Sequence, residues 1–206
     1  MDKIVSGLIL AAGASTRLGQ PKQLLPFKGT TLVGWTVHQF ESCSSLDEVV
    51  VVLGTSADEV RKQVKFGRSK IVKNLAIGDG CSASYRVGIE AFHPKTEAMV
   101  VLLGDQPGVT PVIVEQVVSA WKVNGGKIVL ANYQGRKGHP MLFARELFDQ
   151  LVGLHGDKAV WKIVDQHPDW VREVTIDRPY PRDINTWEDY KSILAEEGAT
   201  GEDTKK

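Results

Sequence analysis

Short β-branched apolar runs alternate along this chain with longer stretches whose apolar residues recur every three or four positions. Ile4–Leu10 reads as a buried strand, and Glu48–Leu53, with Val49-Val50-Val51-Val52-Leu53, as a strand covered on both faces. Lys70–Lys73 reads as a short strand and Met99–Leu103 as a further buried one. Between these lie helical stripes. Leu32–Glu41 predicts a helix. Ser56–Lys65 opens with Ser56 and Glu59 at capping-box spacing and puts Val60 and Val64 on one face. Ser82–Phe92 gathers Tyr85, Ile89 and Phe92 on one side. Thr110-Pro111 marks a helix start with proline at the first position, followed by Val114, Val117, Val118 and Trp121 at helical spacing. Gly125-Gly126 ends that helix and Lys127–Ala131 resumes as a strand. Strands alternating with helices predict an α/β fold with a mainly parallel sheet.

The second half is less regular. Met141–Phe143 reads as a strand, Arg145–Leu154 and Val160–Gln166 as helices, and Val171–Ile176 as a strand. Thr186, with Asp189 three residues later, opens a last helix carrying Tyr190, Ile193 and Leu194. From Glu196 the composition turns to Gly, Glu, Lys and Thr, which predicts a frayed tail over 197–206 after one domain spanning 1–196. No internal repeat or linker interrupts that domain.

Composition narrows the function classes. The 206 residues carry 25 basic and 25 acidic side chains, so the basic footprint of a nucleic-acid binder is missing. No apolar run approaches the ~18–20 residues of a membrane span, and Gly7–Ala12 is too short for a secretory core. The two cysteines, Cys43 and Cys81, make neither a disulfide framework nor a metal cluster. The expectation is a cytoplasmic protein of a reducing compartment.

The strongest local signal is Leu8-Ile9-Leu10-Ala11-Ala12-Gly13-Ala14-Ser15-Thr16-Arg17-Leu18-Gly19, followed by Lys22. A buried strand runs into small residues whose backbone a ligand can approach, and successive N–H groups can cradle an anion. Arg17 and Lys22 add positive charge beyond the cradle, a combination suited to a triphosphate. An ordinary strand–loop connection with a surface Arg and Lys would read the same on composition alone. The loop lacks the Gly-Lys-Ser/Thr ending of a P-loop. It also lacks the glycine spacing of the dinucleotide fingerprint, which argues against an NAD-type oxidoreductase.

Leu10-Ala11-Ala12-Gly13, Arg17, Gly19 and Lys22 resemble the signature of the MobA-like nucleotidyltransferases. The resemblance continues through Gly80–Gly88, Gly104-Asp105-Gln106-Pro107, Gly138-His139-Pro140 and Asp183-Ile184-Asn185-Thr186, covering roughly residues 4–194. Ala-Ala-Gly at 11–13 is similar to the cytidylyl branch, represented by molybdenum cofactor cytidylyltransferase, whereas the guanylyl branch usually has Gly-Gly. The resemblance implies a Rossmann-like, three-layer α/β/α fold of the GT-A type. It implies that Leu10, Ala11, Ala12, Gly13, Arg17 and Lys22 bind the nucleotide phosphates, and that Gly80, Ser82 and Ser84 lie against base and ribose.

Asp105, at the carboxyl end of a central strand, sits where α/β folds bind ligands and can hold Mg²⁺ through an oxygen ligand. It could equally open a turn before Pro107. The resemblance favours the metal role and makes Asp183 the second ligand, with Asn185 competing, although both could serve only the cap of the last helix. Gln134–Pro140 reads as a polar loop. In the resembled family it lies on the acceptor side, so that Arg136, Lys137 and His139 would meet an anionic pterin phosphate. The implied reaction moves CMP from CTP onto molybdopterin carrying molybdenum, with Mg²⁺ and release of pyrophosphate, and a molybdenum hydroxylase is the implied partner. Arg17, Lys22 and Asp105 would be catalytic. The alternatives are guanylyl or other nucleotidyl transfer to a different phosphorylated small molecule, or a non-catalytic carrier of the cofactor.

Overall fold

The computed structural model describes residues 3–76, 80–156 and 159–202. In chain order the strands are β1 (Ile4–Ala11), β2 (Pro26–Phe27), β3 (Thr30–Thr31), β4 (Glu48–Leu53), β5 (Lys70–Lys73), β6 (Thr96–Leu103), β7 (Ile128–Tyr133), β8 (Arg136–Ala144) and β9 (Val171–Ile176). The helices are α1 (Leu32–Glu41), α2 (Ala57–Gln63), α3 (Cys81–Glu90), α4 (Pro111–Asn124), α5 (Phe148–Val152), α6 (Ala159–Gln166) and α7 (Trp187–Glu202).

Seven strands form one sheet in the order β5-β4-β1-β6-β8-β7-β9. All neighbours are parallel except β8, which runs antiparallel to both β6 and β7. The apolar run of β4 shows why both sheet faces must be covered. Val49, Val51 and Leu53 enter the core beneath α1, α2 and α4, while Val50 and Val52 enter the core beneath α3, α5 and α6. All five are fully buried, and each stabilises the fold by roughly 1.5–3 kcal/mol relative to exposure. A third cluster joins Leu18, Leu25, Phe27 and Leu32 to Ile184, Tyr190 and Ile193, and so packs α7 behind the first loop. The chain moves outward from β1 to β4 and β5, then returns to β6 on the other side of β1. That reversal opens a crevice at the carboxyl ends of β1 and β6, the switch point where such sheets bind ligands.

Three local readings are corrected. The expected loop over Gln134–Pro140 is strand from Arg136 onward, joined to β7 by a turn at Gln134 and Gly135. A proline in a central strand lacks the ladder donor. It is accommodated because Ala131 pairs with Gly138 while Leu130 pairs with Met141, leaving His139 and Pro140 in an irregularity without ladder partners on β7. Ser56 does not cap its helix. Ser56 makes no side-chain cap bond, and α3 is entered from Gly80, whose φ of 68° favours glycine. Finally, α7 continues to Glu202, past the expected start of the tail. Glu196 pairs with Arg182 and Glu197 with Lys28 at 2.5 Å, so charges that read as solvated tail fasten the helix to the body. The start of α7 follows the sequence reading. The Asp189 N–H donates to the Thr186 hydroxyl at 3.1 Å, and the Thr186 N–H donates to the Asp189 carboxylate at 2.8 Å, a reciprocal capping box.

Candidate active site

A cleft of about 470 Å³ opens at this switch point, lined by Leu10, Ala11, Ala12, Gly13 and Ala14 of the first loop. Lys22, Gln23, Asn74, Gly80, Cys81, Ser84, Gly104 and Asp105 complete much of the wall. The strand ends meet closely because two of them finish in glycine. A Cβ on Gly54, after β4, would stand 2.4 Å from the Ala12 carbonyl oxygen, and one on Gly104 would stand 2.9 Å from the Ala11 Cβ. Backbone cannot yield as a side-chain tip can, so Gly54→Ala is expected to displace the loop and cost about 1–3 kcal/mol of stability. Thermal unfolding checks this, at about 2–4 °C per kcal/mol for a domain of this size.

The charged end of the cleft is assembled from three distant segments. The Ile184 N–H donates to the Asp105 carbonyl at 3.0 Å and ties the segment before α7 to the end of β6. Gln106, buried beside it, donates through Nε2 to Asp183 Oδ1 at 2.5 Å. The Lys22 ammonium forms a short salt bridge with Asp105 and donates to Asn185 Oδ1 at 3.1 Å. Burial holds the Asp183 carboxyl above the usual carboxylate range, and the neighbouring Asp105 charge adds to this, against the opposing pull of Gln106, Lys22 and Arg136. Asp105, Asp183 and Asn185 therefore offer hard oxygen donors around a place that attracts positive charge, with the Lys22 ammonium already among them. That donor set fits a divalent cation such as Mg²⁺, which typically takes one or two carboxylates together with substrate phosphate. Among the described residues no group of three or more His, Cys, Asp or Glu gathers as a metal centre, here or elsewhere.

The remaining predicted residues are distributed as follows. Ser84 lines the cleft and accepts from Asn74 Nδ2 at 3.0 Å, whereas Ser82 is fully buried and is not among the residues that line the cleft. Asp79, next to Gly80, lies outside the described residues. Arg17 is exposed on the short 3-10 turn Thr16–Leu18, near Asp189. The three residues expected on the acceptor side do not share one surface. Arg136 lays its guanidinium 3.5 Å from the centre of the Tyr180 ring, in reach of the field of Asp183. Lys137 pairs with Glu173 at 3.1 Å. His139 is buried against Trp161, ring centres 6.2 Å apart, with its Nε2 unpartnered.

Burial lowers the His139 pKa to about 4, so the ring is neutral near pH 7. The unfolded chain takes up the proton first as pH falls below about 6.5, so the stability conferred by the neutral ring is lost between about pH 6.5 and 4. The full loss is of the order of 3 kcal/mol for a shift of this size. His139→Phe is expected to flatten that part of the stability–pH curve, as measured by denaturant unfolding at each pH.

Two cleft residues escape a reading of the sequence. Gln23 stands in an apolar stretch beside Lys22, and Asn74 follows β5. Only the spatial convergence of the strand ends distinguishes them from ordinary polar residues, and no local spacing announces it.

The sequence profile of the MobA-like NTP transferase domain matches residues 7–171, most of the chain and every strand from β2 to β8. The chain belongs to the MobA-like NTP transferase family. Among solved structures, this family member is similar to the Rv0371c protein of Mycobacterium tuberculosis H37Rv. The TM-score is 0.85 at 37% identity, covering 94% of this chain and 98% of that one. Another structure of Rv0371c, in complex with manganese, has a TM-score of 0.81 at 35% identity and covers 94% and 99% of the two chains. Among curated proteins, nicotine blue oxidoreductase of Paenarthrobacter nicotinovorans is 32% identical over 92% of this chain and 96% of its own length. The molybdenum cofactor cytidylyltransferase of Escherichia coli (strain K12) is a more distant relative, 25% identical over 70% of this chain and 72% of its own. The cytidylyl likeness seen in Ala11-Ala12-Gly13 is thus weaker over the whole chain than the likeness to these other two proteins. No described helix is long and apolar enough to cross a membrane.

Proposed function

We propose that this MobA-like protein transfers a nucleoside monophosphate, CMP from CTP, to the phosphate of a molybdopterin-type acceptor and releases pyrophosphate. The observation that carries the reading is the convergence of Lys22, Asp105, Asp183 and Asn185 at one end of a cleft floored by the small-residue loop. That arrangement is a place for a polyphosphate and its cation, set where an acceptor phosphate can approach from the Arg136 side.

In this reading an acceptor phosphate oxygen attacks the α-phosphorus, a new P–O bond forms, and the bond to pyrophosphate breaks. The attacking oxygen is already anionic near pH 7, so no general base is required and catalysis is positioning and charge stabilisation. Ala11, Ala12 and Gly13 hold the phosphates through the backbone. Lys22 leaves Asp105 for the phosphates and neutralises the departing pyrophosphate, with Arg17 adding charge from the rim. Gly80 and Ser84 bound the base and ribose, and Ser82 is buried within α3. Asp105 and Asp183, with Asn185 as the competing ligand, would hold Mg²⁺, which when bound supplies Lewis-acid polarisation of the α-phosphate. Arg136 meets the acceptor phosphate, and Lys137 and His139 shape the strand that carries it.

One observation favours a second reading. The nicotine blue oxidoreductase relative aligns with nearly the whole chain, so the same cleft would carry an oxidoreductase reaction. Incubation with CTP, GTP, ATP or UTP and molybdenum cofactor, and separately with reduced nicotinamide cofactors and an electron-accepting dye, separates the two. Label passing from [α-³²P]CTP into a cofactor dinucleotide supports transfer. Loss of nicotinamide absorbance with no nucleotide turnover supports the redox reading and sinks the first. Transfer from GTP alone keeps the mechanism and overturns the choice of base.

A further inference from the structure

Gln23 packs against the first loop at the cleft wall and is almost completely buried. Its carboxamide Nε2 donates to two carbonyls, that of Ala11 at 2.9 Å and that of Gly13 at 2.8 Å. Its Oε1 accepts from the Ser15 hydroxyl at 3.4 Å, and the Ser15 oxygen accepts the Lys22 N–H at 3.0 Å. A glutamine amide has two N–H donors and one carbonyl acceptor. Here both donors and the acceptor serve the same five-residue loop. Ser15 itself is held in the left-handed region, φ 56° and ψ 32°, a conformation that costs an L residue free energy and persists where neighbours fix it.

The consequence follows from peptide geometry. A trans peptide is planar, so the N–H of one residue points opposite to the carbonyl before it. Holding the Ala11 carbonyl on Gln23 turns the Ala12 N–H away from Gln23, and holding the Gly13 carbonyl turns the Ala14 N–H away likewise. Both Ala12 and Ala14 line the cleft. We propose that Gln23 is a positioning residue whose single side chain aims the Ala12 and Ala14 N–H groups into the cleft as paired donors to a polyphosphate. Donors fixed in advance need no reorganisation when charge arrives, and a run of aimed N–H groups forms an anion nest. The adjoining Lys22 projects from the same 3-10 turn, Lys22–Leu24, so one turn sets both the backbone donors and the mobile cation. The inference rests on the polyphosphate reading of the cleft and adds to it the device that builds the cradle.

Inorganic triphosphate with Mg²⁺ is the probe, because it is indifferent to base and acceptor. Calorimetric titration compares wild type with Gln23→Met, which keeps the length and removes both donors, at a temperature where circular dichroism shows each folded. The expected result is an affinity at least about tenfold weaker in the variant. Amide NMR of the wild type is the second measurement, and the Ala12 and Ala14 N–H resonances are expected to move downfield on saturation. A role confined to stability would lower Tm and leave both readouts unchanged. Folded Gln23→Met that binds as wild type does, or Ala12 and Ala14 amides unmoved in a wild-type protein that binds, overturns the assignment of Gln23 alone. Should Gln23→Met not fold, the wild-type amides decide. A wild type that takes up no triphosphate overturns the polyphosphate reading itself.

Discussion

Asp105→Ala is expected to lower nucleotidyl transfer by about 10²–10³-fold, or ~3–4 kcal/mol of barrier, while the protein stays folded. The size follows from the position of the carboxylate. It stands at the end of β6, touches the Lys22 ammonium and lies in the field of Asp183. Removing it deprives the proposed cation site of one of its two carboxylates and leaves Lys22 without its anionic partner. The fold is expected to survive because the Ile184 anchor uses the Asp105 main-chain carbonyl, not its side chain. Lys22 also keeps Asn185 as a partner. Turnover measured beside circular dichroism checks the prediction, and near-wild-type turnover would remove Asp105 from the mechanism. Asp105→Asn, which keeps the shape, is expected to lose nearly as much, because the lost quantity is charge.

Lys22→Ala is the second large effect, with an expected loss of at least about 10²-fold in turnover. Here the loss divides differently. In the proposed mechanism the ammonium would neutralise charge that builds on the leaving pyrophosphate, so the fall is expected mainly in kcat, with a smaller rise in KM for the nucleotide. The variant also removes the positive charge that offsets Asp105 and favours ionised Asp183, so the ligand-free protein is expected to lose some stability near pH 7. Steady-state kinetics over a nucleotide series gives the division. A variant changed only in KM would reduce Lys22 to a ground-state contact.

The sheet was readable from the chain because its strands are continuous β-branched runs. Val49–Leu53 is apolar at every position and is buried at every position. The small-residue loop that follows β1 was readable as a place of close approach for a related reason, and Leu10–Ala14 do line the cleft. What escaped depended on distant partners. Arg136–Pro140 reads as a loop because it is polar and contains proline, yet Lys137 finds Glu173 on β9, and the irregular register at His139 and Pro140 excuses the missing donor. His139 reads as an acceptor-side residue, but it is buried against Trp161, far along the chain, and burial keeps it neutral. The Glu196–Glu197 pair reads as tail until Arg182 and Lys28 are seen opposite. Gln23 carries no local mark, since its role exists only once the Ala11 and Gly13 carbonyls turn toward it.

Pyrophosphate release from CTP, with Mg²⁺ and molybdenum cofactor present or omitted, tests the central claim most directly. The account predicts release that requires both CTP and the cofactor and that is lost in Asp105→Ala. No pyrophosphate from any nucleotide, by folded protein that binds the cofactor, would contradict it and leave the cleft the work of a carrier.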